Sequence, residues 1–226
     1  MDKSIRKSVE DLLSRRDYAL LLDLCEEDKR YWQAVRSRLY DLDEKVRWAA
    51  VETVSRFVQR WWKTGKEEKV RQYIRTLFWS ISDESGGIGW SAPQVIAEII
   101  VHIPALIDPY GSMIIAHSME EPPLIKGCLW GIGRLGKSVV EAVDYFHEKV
   151  LAVFGIDDTE ILGLASWAMG QVGFRPAMPF LEKLSSRSEP VTIYMNGNFV
   201  ERPLGQWVEE AIRKIRSTDL QDFFPS

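Results

Sequence analysis

Apolar residues return at every third or fourth position through most of this 226-residue chain, the spacing that lays one stripe along an α-helix. Five stretches carry the stripe in a common register: VRWAAVETVSR from Val46, IGWSAPQVIAE from Ile88, LIKGCLWGIGR from Leu124, ILGLASWAMGQ from Ile161 and LGQWVEEAIRK from Leu204. Their first positions are aliphatic (Val46, Ile88, Leu124, Ile161, Leu204), and the position four residues on is small or compact (Ala50, Ala92, Cys128, Ala165, Val208). Four further on, the side chain is aliphatic or Met again (Val54, Ile96, Ile132, Met169, Ile212). Positions i, i+4 and i+8 share a helix face, and a small middle row lets neighbouring helices approach closely. The stretches recur at intervals of about 36 to 43 residues, the period of a helical repeat.

Other amphipathic stretches alternate with these five: 66–82, 108–119, 138–154 and 176–184. Acidic or proline-containing turns join each pair, DLDE at 41–44, DESGG at 83–87, EEPP at 120–123 and DDTE at 157–160. Asp, Ser and Thr in such turns cap the helix that follows, and carboxylates suit its positive end. The pattern predicts an all-α protein, an α-solenoid superhelix of about five helix pairs filling one domain over residues 1–226. Period 2 wins at one place only. VTIYMNGNFVER (191–202) sets β-formers around Asn196-Gly197, a pair suited to the positive φ values of a tight turn, so a small hairpin is expected there as a cap or a partner contact.

The second helices "DEKVRWAAVETVSR" and "LIKGCLWGIGRLGK" resemble the HEAT repeat of the kind named for phycobilisome lyases, whose second helix reads V-R-x-x-A-x-x-A-L-G-x-[IL]-G. The resemblance spans residues 28–217 and implies an armadillo-like superhelix. "SDESGGIGWSAPQVIAEI" is also similar to uncharacterised bacterial HEAT-like proteins, which implies no activity. Two departures stand out: Pro93, expected to interrupt its helix, and the insertion in the last repeat.

Two glycine patterns invite a nucleotide. Gly131, Gly136, Lys137 and Ser138 have P-loop spacing, and Gly87 to Ala92 match G-x-G-x-x-A with Asp108 downstream. Both motifs need a preceding buried strand, and both follow helical stripes instead. Gly136 is therefore expected to terminate a helix. The turn formed by Asp83, Glu84, Gly86 and Gly87 is a candidate groove mouth, with the simpler role of a tight, capped connection beside it.

The clearest candidate site comes from positions opposite the core stripe. Trp48, Glu52 and Arg56; Trp90, Gln94 and Glu98; Lys126, Trp130 and Arg134; and Trp167 with Gln171 fall on that side at 100° per residue. The HEAT resemblance implies that this side lines a concave groove, with tryptophans as anchors among charged groups. The competing expectation is that the tryptophans wedge between helices. A non-enzymatic scaffold binding a protein or peptide follows from the first arrangement. The alternative is an enzyme or cofactor handler on the same scaffold. It would resemble the HEAT-like alkylpurine DNA glycosylases, whose catalytic carboxylate has no match beside Trp90, or the bilin lyases.

Composition narrows the partner. A net charge of −4 and no basic run argue against broad contact with nucleic-acid backbone. Cys25, Cys128, His102, His117 and His147 have no metal-ligand spacing, so neither metal nor cofactor is expected, and no Ser/His/Asp or Cys/His arrangement can be assembled. No stretch is apolar for long enough to span a membrane, and the amino-terminal helix has no signal-like apolar region; a cytoplasmic protein with reduced thiols is expected.

Overall fold

The apolar stripes fold as helices in a computed structural model, which describes residues 3–81 and 90–223, with side chains up to residue 218. Asp83, Glu84, Gly86, Gly87 and Ile88 lie outside the described residues. The chain divides into two compact units, Met1–Pro104 and Ala105–Ser226.

The first unit holds α1 (Lys3–Arg15), α2 (Tyr18–Glu27), α3 (Lys29–Ser37), α4 (Glu44–Lys63), α5 (Glu67–Ile81) and α6 (Ala92–His102). Side-chain caps start three of them: Asp17 accepts from the Leu20 amide, Asp28 from Arg30 and Asp43 from Lys45. Each such cap is worth about 1 kcal/mol. The α4 stripe Val46, Ala50 and Val54 is buried, α4 packs beside α6, and neither Ala49 nor Ala50 is exposed at all. Trp32, Phe57, Trp61 and Tyr73 form an aromatic cluster with centroids 4.9 to 6.0 Å apart. Pro93 does not interrupt its helix: it stands in the first turn of α6, where a missing N–H costs nothing.

The second unit holds α7 (Ile107–Ser118), α8 (Ile125–Leu135), α9 (Val140–Tyr145), α10 (His147–Ala152), α11 (Thr159–Val172), α12 (Met178–Leu184), β1 (Pro190–Met195), β2 (Asn198–Pro203) and α13 (Leu204–Phe223). Helices α8, α11 and α13 lie side by side. Their stripes are buried at Leu124, Cys128 and Ile132, at Ile161, Ala165 and Met169, and at Leu204 and Val208, with Ile212 half-buried. Asp158 caps α11 by accepting from the Glu160 and Ile161 amides.

The single helix expected over 138–154 is two short ones. Phe146 leaves helical geometry at φ −100°, ψ 22°, and a ring nitrogen of His147 meets the Asp144 carbonyl at 2.8 Å. The expected hairpin is present, its antiparallel register running from Pro190 opposite Pro203 to Met195 opposite Asn198. Asn196 and Gly197 make the turn at φ 49° and 84°. Among the described residues no helix is long and apolar enough to cross a membrane.

Candidate functional site

The P-loop match dissolves in this geometry. Gly131 is buried inside α8, while Gly136 ends that helix at φ 57°, a left-handed value that glycine adopts at little cost. Among the described residues no strand precedes them, so the strand-to-helix turn that a P-loop needs is not formed.

The four tryptophans aligned opposite the core stripe do not all line a groove. Trp48, Trp130 and Trp167 are buried, and only Trp90, 63% exposed, stands in solvent. The expectation of an aromatic groove through all four repeats is thereby corrected, because three of the indoles have neighbours that the stripe could not reveal. Trp167 lies on Gly133, where a Cβ would sit 2.2 Å from the indole ring. With its amide oxygen facing the donors, Gln171 accepts from Trp167 Nε1 at 2.8 Å and from Lys214 Nζ at 2.7 Å. Trp130 donates through Nε1 to the Tyr194 carbonyl of β1 at 2.8 Å.

The hairpin therefore covers this side of the second unit. Val191, Ile193 and Tyr194 are buried, and Trp207 Nε1 donates to the Val191 carbonyl at 3.1 Å. Gly163 makes room, since a Cβ there would come within 2.3 Å of Val191 Cγ1. Around this cover the polar residues pair internally. Lys126 reaches Asp158 at 3.1 Å and Glu160 at 2.5 Å. Burial opposes its charge, yet the two carboxylates hold its pKa above the usual lysine value. Arg202 pairs with Glu210 at 2.7 Å and lies over the Trp207 ring, 4.6 Å from the centroid. Arg134 is half-buried on α8.

The first unit differs. Glu52 and Arg56 of α4 face Tyr18 at the start of α2: Arg56 sits over its ring at 4.8 Å, and burial followed by the Glu52 carboxylate raises the phenol's pKa. These two residues are half-buried, and their coverage by α2 was not legible from the α4 pattern. Glu98 is buried, with its carboxylate 3.6 Å from His102 on the next turn of α6, and Gln59 donates to the His102 carbonyl at 2.9 Å. Gln94 is half-buried, and its carbonyl oxygen has no hydrogen-bond partner among the described residues. Ser91 fixes the start of α6 by donating to the Leu39 carbonyl at 2.8 Å, which holds Trp90 at the surface while its neighbour is buried.

Trp79 of α5 is 80% exposed. Among the described residues no group of three or more His, Cys, Asp and Glu side chains is placed to hold a metal ion. The free thiols Cys25 and Cys128 are buried, and burial pushes the first up to about 12. What the face at the start of α6 offers chemically is an accessible indole, a binding surface, whereas the unsatisfied amide oxygen of Gln94 one turn along is itself buried.

No family model matches the chain. An uncharacterised protein of Archaeoglobus fulgidus is 28% identical over 176 residues, covering 76% of this chain and 90% of that one. Among solved structures, an engineered protein is similar with a TM-score of 0.60 at 12% identity, covering 94% of this chain and 90% of that one. Computationally designed armadillo repeat proteins for modular peptide recognition are similar with a TM-score of 0.53 at 16% identity, covering 94% of each chain. The fold is thus an all-α solenoid of the armadillo/HEAT type with a small antiparallel hairpin near the carboxyl terminus.

Proposed function

We propose that this chain is a non-enzymatic binding protein that holds a protein or peptide partner against the α6 face of its first unit. Trp90 serves as the apolar anchor, with half-buried Gln94 one turn along. The observation that carries this reading is Trp90 itself, a large side chain left 63% exposed just before α6, a helix whose apolar residues are buried save for half-buried Val101. Armadillo-type folds made for peptide recognition support it at the level of fold. The finer likeness to phycobilisome-lyase HEAT repeats rests on the sequences of α4 and α8 alone, and a cytoplasmic setting is part of the same proposal.

An indole of this exposure loses on the order of 100 to 150 Å² of apolar surface to a partner, worth about 3 kcal/mol or roughly a hundredfold in affinity. The test is a titration. Peptides are selected from a random display library against the full chain, and the tightest is measured against wild type and Trp90→Ala. The expected result is a loss of at least about tenfold with unchanged helicity, and equal affinity for the two proteins would reject the proposal.

A further inference from the structure

The aromatic cluster of the first unit has a charged cover, separate from Trp90. Arg36 of α3 lays its guanidinium 5.5 Å from the Tyr73 ring centroid and 5.9 Å from that of Trp32, and Lys69 of α5 holds Nζ 3.8 Å from the Trp61 centroid. Trp61 and Tyr73 are buried, Trp32 is half-buried, and both cations are exposed. A ring face attracts a cation without neutralising it, so each still presents its positive charge to solvent. Stacking also restrains the plane of Arg36, which lowers the ordering cost of a two-pronged contact with a carboxylate.

The charge of these segments opposes that of the chain. Residues 29–38 and 60–75 hold ten cations and two carboxylates in a protein of net charge −4. Five of the ten are committed: Arg30 to Asp28, Arg38 to Glu10 and Asp41, Arg60 to Asp23 and Glu26, Arg71 to Glu67, and Arg75 to Glu68. The same pairs engage both carboxylates of α5 and, toward α2, Asp23, Glu26 and Asp28, leaving Glu27 as the exposed acid on that side. Lys29, Arg36, Lys63, Lys66 and Lys69 are exposed and form no ion pair among the described residues. Lys66 and Lys69 stand one turn apart at the start of α5, and partial burial followed by the Lys66 charge lowers the pKa of Lys69.

We infer that this surface docks an extended acidic segment of a partner protein, its carboxylates paired with Arg36, Lys66 and Lys69. A nucleic acid fits less well: the cations cover the rings that bases would stack on, and a phosphate chain running past them would meet Glu27, Glu67 and Glu68. A lipid surface would need apolar side chains beside the cations, yet Val70, Tyr73 and Ile74 of α5 are buried. A second copy related by a two-fold axis would set the same cations against each other.

The probe is a dye-labelled synthetic peptide of Glu-Glu-Gly repeats, titrated by anisotropy against the full chain at low salt. Its Gln-Gln-Gly counterpart, phosphatidylserine vesicles and a DNA duplex are run in parallel. The Glu peptide is expected to bind and to weaken as salt rises. Arg36→Gln with Lys69→Gln should cost about tenfold, and Lys66→Gln, which touches no ring, about threefold. Lys3→Gln with Lys7→Gln removes as much charge from exposed positions of α1 and should leave affinity unchanged. Trp90→Ala should leave it unchanged too, which separates this surface from the site proposed above. Circular dichroism of every variant should match wild type, and bound peptide should slow acetylation of Lys66 and Lys69 but not of Lys3 and Lys7. The inference is overturned if the Glu peptide fails to bind, if the Gln peptide binds equally, or if the α1 variant loses as much affinity as the Arg36 and Lys69 variant. Capture of vesicles or duplex in place of the peptide overturns it as well.

Discussion

Trp130 and Trp90 fall on the same side of the aligned sequence rows, yet one donates its indole N–H to the Tyr194 carbonyl in a buried contact and the other, in the turn before α6, stands in water. The first is stabilising and the second is available, so substitutions at the two should separate cleanly. Trp130→Phe removes the indole donor to the Tyr194 carbonyl and should lower unfolding free energy by about 1 to 2 kcal/mol. Gly163→Val should cost more, about 2 to 3 kcal/mol, because its new Cβ would lie 2.3 Å from Val191 Cγ1 and force the hairpin away from α11. Trp90→Ala should change stability by less than about 0.5 kcal/mol. Urea unfolding of the three variants reads all of these, and a Gly163→Val protein as stable as wild type would contradict the close hairpin contact.

At the scale of elements, the rows led by Val46, Leu124 and Ile161 made the second helices legible, because burial of a repeated stripe is a local property of the sequence. The type of the hairpin was legible for the same reason, since Asn196-Gly197 supplies both positive φ values. Its docking was not. Trp130 and Tyr194 are 64 positions apart, and helical periodicity says which side of α8 faces away from the core stripe without saying what will cover it. Tyr18 hides Glu52 and Arg56 in the same way. The break at Phe146 was missed because Val139, Val143 and Val150 are buried at helical spacing on both sides of it, so the stripe runs on where the backbone does not. Asp158 tests an element boundary directly: it caps α11 and meets Lys126 of α8, so Asp158→Ala should destabilise by about 1 to 2 kcal/mol in thermal or urea unfolding.

Across the whole molecule, two ion-paired carboxylates of the second unit make stability sensitive to acid. Burial opposes the charge of Asp158, but the Ile161 and Glu160 amides and Lys126 together depress its pKa; Lys214 and Arg202 do the same for Glu210. A depressed carboxylate contributes stability that is fully present above its unfolded value, about 4, and is lost as pH falls through the lower folded value. Stability should therefore hold from neutral pH down to about 5 and decline below about 4, with a smaller decline in Asp158→Ala. Chemical unfolding across that range checks the sign. Function, by contrast, is proposed to reside in the first unit, where no strand covers α6 among the described residues and Trp90 is accessible. The most direct measurement is hydroxyl-radical footprinting of the full chain with and without a selected peptide bound. Protection concentrated at Trp90, with Trp130 and Trp167 unreactive in both states, is the expected result; unchanged Trp90 reactivity at saturating peptide would contradict the proposed site.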